Sequence, residues 1–333
     1  MASTTPALAT MPTEILCMIG SELGENELVG ISQVSRGFRN IFLARRFKRV
    51  VLRGTMARIE FYQNEYPHNG PLSFEDVALI GSLLQGMPKL YGVTFRINCY
   101  DNVLFNRLLR EAPKWSSPRS IAFFRNTDHS NFNAVIRRFL PGTLEAVRIP
   151  YGFNKRHYNI VKSQCPTLKA LEIDRSCDRQ RRRNVTPSLD HDFVNTVNSD
   201  FPEVESLILH EDTRFRNRRF MWFTSAAELD DAVSLLIDAL DDMPRLRRFA
   251  FTLREDRLDI PLIQDDVEAD IDEWCLNLVE SLLNAVPTLE ELCISFYHPT
   301  FYRGTRRNHQ IVVQKANRNN IGEEDRFPSS LWP

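Results

Sequence analysis

Long apolar runs and leader-like segments are both missing from this 333-residue sequence. No stretch approaches the run of about 18 apolar residues that a membrane-spanning helix needs. Residues 1–10 lack the positive charge and the apolar core of a signal peptide. The six cysteines are scattered without a C-x-x-C pair, which is typical of reduced thiols. We therefore expect an intracellular protein, cytoplasmic and/or nuclear, that has no membrane partner.

An excess of charge of one sign is lacking as well. The 42 Lys+Arg balance 43 Asp+Glu, which gives a formal net charge of −1. Proteins that bind nucleic acid through their overall field carry a basic excess, so the composition argues against a nucleic-acid partner. Arginine clusters at 179–183 and 214–219 are local exceptions. They suit nucleic acid, an acidic or phosphorylated segment, or an import receptor, although solvated loops with local ion pairs explain them more simply.

The motifs that carry catalysis or hold a cofactor are also absent. Gly81 and Gly86 have the glycine spacing of a phosphate-binding loop, but Met87-Pro88 follows where that loop needs Lys and Ser or Thr. The seven histidines are isolated, and the spacing of Cys165, Cys177 and His191 fits no common zinc site. We expect no catalytic residues, no metal and no cofactor. We therefore expect that the protein is not an enzyme. An unrecognised hydrolase with an α/β core stays open as an alternative.

What the sequence does contain is a repeat. Six times an apolar residue and a proline precede apolar residues with strand-like alternation, which end at Phe95, Ile149, Ile173, Leu209, Phe251 and Ile294. Proline disfavours helix for the residue before it, and alternation of period two predicts a strand. Helical patterns precede several segments, most clearly at 75–85, 228–241 and 267–285, and residues 117–123 resemble a degenerate seventh unit. The six pairs are Met87-Pro88, Leu140-Pro141, Cys165-Pro166, Phe201-Pro202, Met243-Pro244 and Val286-Pro287.

A helix-strand unit of this size cannot cover its own apolar face, so the units are expected to stack. The spacing resembles the L-x-x-L-x-L core of leucine-rich repeats, although the Asn or Cys that usually follows survives only as Asn98. The resemblance implies an α/β fold over residues 47–298, an irregular solenoid of parallel strands backed by helices. An ordinary α/β domain with prolines before its strands is the alternative. Residues 299–333 are predicted to be an irregular or partly disordered tail, with a possible short strand at 311–313.

The N-terminal segment, residues 8–46, has a different pattern of short amphipathic helices. It resembles the F-box, the adaptor-binding module of substrate receptors in SCF-type cullin-RING ubiquitin ligases. The residues that carry the resemblance are Met11-Pro12, Ile15-Leu16, Ile19, Leu23, Leu28, Ile31, Val34-Ser35, Arg36, Phe38 and Arg39. A small helical unit with more apolar residues than it can bury is expected to complete its core on a partner. A helical cap that closes the array is the alternative reading of the same face.

The resemblance implies a function and two sets of site residues. The chain would be the substrate-recognition subunit of the ligase, with the Skp-family adaptor and the cullin scaffold as partners and a protein of unknown identity as substrate. A non-ligase scaffold and a nucleic-acid-associated repeat protein are the alternatives of other classes. The implied adaptor-binding residues are Pro12, Ile15, Leu16, Ile19, Leu28, Ile31 and Val34. If the units stack, residues that alternate with the buried ones point to an exposed face of the sheet, and the candidate substrate-binding residues there are Arg96, Arg148, Glu172, Asp174 and His210. Thr94, Ile208, Thr252, Cys293 and Ser295 are expected on the same exposed face.

Overall fold

The chain has a mixed α/β fold in which helices back a largely parallel sheet. The computed structural model describes residues 49–55, 92–98, 102–123, 129–149, 155–174, 189–210, 226–253, 267–295, 300–308, 310–317 and 327. Residues 8–46, where the helical module is predicted, lie outside this part, as does the helix predicted at 75–85. None of the helices within the described ranges is long and apolar enough to cross a membrane.

Ten strands and six helices make up the described part. The strands are β1 Arg49–Thr55, β2 Gly92–Asn98, β3 Ser120–Phe123, β4 Ala146–Arg148, β5 Ala170–Asp174, β6 Ser206–His210, β7 Arg248–Thr252, β8 Glu291–Ser295, β9 Thr300–Arg307 and β10 Gln310–Asn317. The helices are α1 Asn102–Glu111, α2 His129–Ile136, α3 Lys155–Gln164, α4 His191–Asp200, α5 Ala226–Asp241 and α6 Val267–Ala285.

The strands lie side by side in the order in which they occur along the chain. Neighbours are parallel from β1 to β8, and β9 and β10 continue the sheet in antiparallel pairs. The strands predicted in all six repeats are present as β2, β4, β5, β6, β7 and β8, and the degenerate unit contains β3. The predicted helices at 228–241 and 267–285 are present as α5 and α6.

The main hydrophobic core lies between the sheet and the helices. One feature recurs in every described repeat, a buried apolar side chain shortly after the proline. It lies two residues after the proline at Leu168, Val204, Leu246 and Leu289, and three residues after it at Leu144. The prolines of these five repeats are exposed, because they only end the helix and set the turn. The alternating strand residues such as Leu171 and Ile173 then pack under the helices in the same core. The repeat seen in the sequence is therefore the repeat of the core.

A row of charged residues runs along the edge where the parallel strands begin, and we call it the rim row. The carbonyl of each member accepts a backbone hydrogen bond from the amide of the next, at 2.6–2.9 Å. Its side chains alternate in sign, and Glu145 lies 2.9 Å from Arg119 and 3.9 Å from Lys169 between the charged atoms. The members of the rim row are Arg119, Glu145, Lys169, Glu205, Arg247 and Glu290.

The C-terminal end of the sheet differs from the prediction. Residues 300–317 were expected in an irregular tail, but they form the antiparallel pair β9 and β10, in which the strand expected at 311–313 is eight residues long. The pair is fixed to α6 by close packing at Gly304, where an added Cβ would lie 2.4 Å from Leu283 Cδ1 and 2.5 Å from Val279 Cγ1. The Arg306 side chain also donates to the Leu289 carbonyl at 3.1 Å and to the carbonyl of Leu283. These contacts pack the two strands against α6, which their polar sequence does not predict.

Candidate partner-binding face

The strand residues that alternate with the core form a second face of the sheet, opposite the helices. Pairing across the strands places them in continuous rows, of which one runs Arg148, Glu172, Ile208, Ala250 and Cys293. Several of these residues form a hydrophobic cluster separate from the main core. We use "second face" for this surface, and its described members from β4 to β9 are Ala146, Arg148, Ala170, Glu172, Ser206, Ile208, His210, Arg248, Ala250, Thr252, Glu291, Cys293, Ser295, Phe301 and Arg303.

Four polar side chains are connected across four neighbouring strands of this face, and we call them the polar row. Glu172 on β5 lies at the centre: its Oε1 is 3.0 Å from Arg148 Nε on β4 and 2.8 Å from His210 Nε2 on β6. The other ring nitrogen of His210, Nδ1, is 3.3 Å from Thr252 Oγ1 on β7. The polar row therefore joins β4 to β7 through side chains as well as through the backbone ladder.

The chemistry of Glu172 fixes the protons of the polar row. A carboxylate only accepts hydrogen bonds, so the His210 Nε2 that faces it carries a proton. When the imidazole is neutral, Nδ1 is then an acceptor and the Thr252 hydroxyl donates to it. The Glu172 side chain is 3% exposed, and the Arg148 guanidinium together with the N–H of His210 supplies the partners that a buried carboxylate needs. His210 and Arg148 are 23% and 36% exposed, so the polar row reaches solvent through these two side chains.

The structure brings three of the five candidate substrate-binding residues into direct contact: Arg148, Glu172 and His210. The other two are placed by backbone register. Asp174 is paired with His210, and Arg96 lies on β2 opposite Arg53. All seven candidate adaptor-binding residues, from Pro12 to Val34, lie outside the described residues.

One expectation about this face is wrong. Its residues were expected to be exposed, but of the eight whose burial the structure describes, five are buried: Glu172, Ile208, Thr252, Cys293 and Ser295. The assignment to a face was correct, because alternation determines which side of the sheet a residue occupies. Burial depends in addition on what packs there. Here the side chains contact one another across strands only about 4.8 Å apart, and residues from more distant parts of the chain join them.

The most distant of these residues is Phe327, which is 2% exposed. It belongs to the second hydrophobic cluster together with Ala146, Ala170, Ile208, Ala250, Cys293 and Phe301. The Arg248 guanidinium lies over the Phe327 ring, with its central carbon 5.5 Å from the ring centroid. An aromatic side chain from outside the sheet therefore belongs to the buried cluster on this face and contacts Arg248.

Sequence reasoning missed several residues of this site. Arg248 and Ser206 lie two positions before Ala250 and Ile208, so extending the alternation backwards by one step would have found them. Arg303, whose guanidinium is 2.7 Å from a Glu291 carboxylate oxygen, belongs to a strand that was not predicted. No periodic signal marks Phe327, a single aromatic residue in a polar segment.

Reactive groups are few in the part of the chain that the structure describes. Within the described residues, no three His, Cys, Asp or Glu side chains are grouped so that they could hold a metal ion. Cys165, Cys275 and Cys293 are free and buried. Burial raises the pKa of the Cys165 thiol to about 12, which suppresses the nucleophilic thiolate.

Comparison with known proteins adds no assignment: the sequence matches no family model and no curated protein.

Proposed function

We propose that the chain is the substrate-recognition subunit of an SCF-type cullin-RING ubiquitin ligase. Residues 8–46 are the F-box that docks to the Skp-family adaptor. The ten-stranded sheet with its helices is a degenerate leucine-rich-repeat-like solenoid that binds the target protein. Transfer of ubiquitin is carried out by the attached ligase components, and the chain contributes proximity by raising the local concentration of the target.

The observation that carries the ligase half is the sequence pattern at 11–39. It combines a Pro12 start signal, apolar residues at helical spacing and the Val34-Ser35 and Phe38-Arg39 positions. A cap that merely closed a repeat array would need the apolar positions but not the proline and the two pairs.

The second face supports the target-binding half. Its polar row presents two partly exposed side chains, those of Arg148 and His210, that a buried carboxylate holds in place. Such a pre-ordered arrangement loses little side-chain entropy on binding, which favours affinity and specificity. The rim row beside it alternates in sign and carries no net charge, so it offers a polyanion no continuous basic track.

The ligase half is tested by capture of the Skp-family adaptor and its cullin with the full chain. A Leu16→Asp/Ile31→Asp variant places two charges on the proposed docking face. The matched control is Leu140→Asp/Leu235→Asp, which makes the same changes at two leucines that are 45% and 44% exposed in the described part. Thermal unfolding of all three proteins checks that each is folded.

Capture by the intact chain and the control, together with loss of capture by the Leu16→Asp/Ile31→Asp variant, is the expected result. Failure of the intact chain to bind the adaptor would overturn the ligase role. The sheet would then be a protein- or nucleic-acid-binding scaffold that acts outside a ligase, and the salt dependence of its binding would separate those two.

A further inference from the structure

The cluster around Phe327 has the features of an aromatic-binding pocket. Alanine or cysteine occupies four of its second-face positions, which are spread over the strands from β4 to β8: Ala146, Ala170, Ala250 and Cys293. Side chains this small leave room for a ring to lie on the sheet beside Arg248. Arg248 provides a cation over the ring face, an arrangement that favours an aromatic over an aliphatic side chain. The pocket is therefore selective for the kind of group that Phe327 supplies.

Two polar groups of the pocket lack a polar partner among the described residues. Ser206, paired in register between Ala170 and Arg248, has a buried hydroxyl without a hydrogen bond. A buried polar group without a partner is costly and is readily satisfied by a polar group of a ligand. In addition, Glu172 and Glu291 are each paired with an arginine, whereas Arg248 has no carboxylate partner within the part that the structure describes.

We propose that this pocket binds an acidic segment of a partner protein through an aromatic side chain, and that Phe327 occupies it in cis. The chain itself shows the chemistry of the ligand, since Glu323, Glu324 and Asp325 directly precede Arg326 and Phe327 in the sequence. An acidic segment complements Arg248, and an aromatic side chain lies on the small residues of the sheet beside it. The C-terminal segment is thus an internal competitor of the partner.

Competition in cis has a measurable consequence. Phe327 lies ten residues after Asn317, the last residue of β10, so it is tethered beside the pocket. A short tether gives Phe327 an effective concentration of about a millimolar at the pocket. A partner can bind only the pockets that Phe327 leaves empty, so its apparent affinity is reduced in proportion to that empty fraction. Removing the Phe327 side chain should therefore raise the affinity for a partner segment by about tenfold or more.

This inference rests on the proposed function in one respect, because it takes the second face as the target-binding surface. It names the class of target segment, acidic and aromatic, and it does not depend on the adaptor. Binding of a peptide and capture of the adaptor are separate readouts, so each proposal can fail alone.

The test is a binding titration of the full chain with a fluorescent synthetic peptide that has the sequence of residues 320–330. Wild type is compared with Phe327→Ala and Phe327→Leu; the leucine variant keeps an apolar group in the pocket if alanine impairs folding. Two control peptides carry either Phe327→Ser or the three changes Glu323→Gln, Glu324→Gln and Asp325→Asn. An Arg248→Gln change in the Phe327→Ala background tests the cation.

The proposal expects the peptide to bind Phe327→Ala at least about tenfold more tightly than wild type, with Phe327→Leu in between. The serine peptide should not bind, and the neutralised peptide and the Arg248→Gln variant should each lose affinity several-fold. No binding to folded Phe327→Ala or Phe327→Leu, or equal binding of the serine peptide, would overturn the pocket. Equal affinity of wild type and Phe327→Ala would overturn the competition in cis. Adaptor capture by Phe327→Ala, measured in parallel, should match capture by wild type. If neither wild type nor Phe327→Ala captures the adaptor, the ligase role fails and the pocket proposal is unaffected.

Discussion

Glu172 Oε1 and His210 Nε2 lie 2.8 Å apart on neighbouring strands although the two residues are not paired with each other. In the register, Glu172 is opposite Ile208 and His210 is opposite Asp174. The contact is therefore diagonal, at a spacing that only long side chains can bridge. Since Glu172 also contacts Arg148 on its other side, its carboxylate links three strands.

Replacing Glu172 with alanine should lower the free energy of unfolding by about 2 kcal/mol, because hydrogen bonds to charged groups contribute about 1.5–3 kcal/mol. Urea unfolding measures the change. The matched control is Glu111→Ala, which removes an exposed pair with Arg107 at 3.5 Å and should cost less than about 0.5 kcal/mol. Equal losses in the two variants would show that burial does not strengthen the polar row.

Reversing the charge of Glu145 should destabilise the rim row. Glu145→Lys places three positive charges side by side, because Arg119 and Lys169 flank the position. We expect a loss of about 1 kcal/mol at low salt, since the pairs are partly exposed. In about 1 M salt, where the Debye length is about 3 Å, most of the loss should disappear. Glu145→Gln removes the attraction without adding repulsion and should show a smaller loss of stability. If the loss caused by Glu145→Lys did not depend on salt, its electrostatic origin would be contradicted.

Gly304→Ala should destabilise the packing of β9 on α6. The new Cβ would overlap the side chains of Leu283 and Val279, which are both fully buried in the main core. Overpacking of this kind costs about 1–3 kcal/mol. The same change in a Val279→Ala background should cost less, because the shortened side chain makes room. A double-mutant cycle measured by thermal unfolding tests this, and strict additivity would argue against the steric account.

Asp272 makes the stability of the junction between α6 and the last two strands depend on pH. Burial by itself would raise the pKa of this carboxyl, but hydrogen bonds from Lys315 and Tyr302 and the charge of Lys315 hold the pKa below its usual range. A folded-state pKa below the unfolded one means that the stabilisation is present above about pH 4, the ordinary value for Asp. It is lost as the pH falls through the folded pKa.

The difference in unfolding free energy between wild type and Asp272→Asn should therefore shrink as the pH is lowered below about 4. Lys315→Met removes the closest cation, whose Nζ is 2.5 Å from the carboxylate, and should flatten most of this dependence. A difference that stays constant between neutral pH and about pH 3 would exclude the linkage.

Cys165 should resist alkylation in the folded chain. Its pKa of about 12 leaves little thiolate at neutral pH, and the side chain is fully buried. Mass spectrometry after iodoacetamide treatment should find Cys165 modified only as fast as denaturant unfolds the protein. Rapid modification without denaturant would show that α3 opens independently of the sheet.

The repeated part of the fold was predictable because each unit repeats the same core position. Leu168, Leu246 and Leu289 stand at one spacing from their prolines, and the strands follow with alternation of period two. The β9 and β10 pair was not predictable in this way. Gly304 and Arg306 read as loop residues, and only the side chains of α6 explain why they are accommodated.

The sequence predicted which face of the sheet the candidate site residues occupy, but not how deeply they are buried. Alternation placed Arg148, Glu172 and His210 on one face, and the structure brings these three into contact. Their burial depends on residues that are remote in sequence, above all Phe327, and no local pattern encodes such a contact. The ligase role belongs to residues 8–46 and stays a prediction.

The order of the strands in the sheet, which follows their order along the chain, bears on how this molecule tolerates change. Each connection joins strands that are already neighbours, so lengthening one leaves every pairing partner as it was. The entropic cost of a longer connection grows only slowly with its length. Insertions between units should therefore accumulate more readily than substitutions within the strands. The unequal spacing of the prolines along the sequence is the pattern that such insertions would produce.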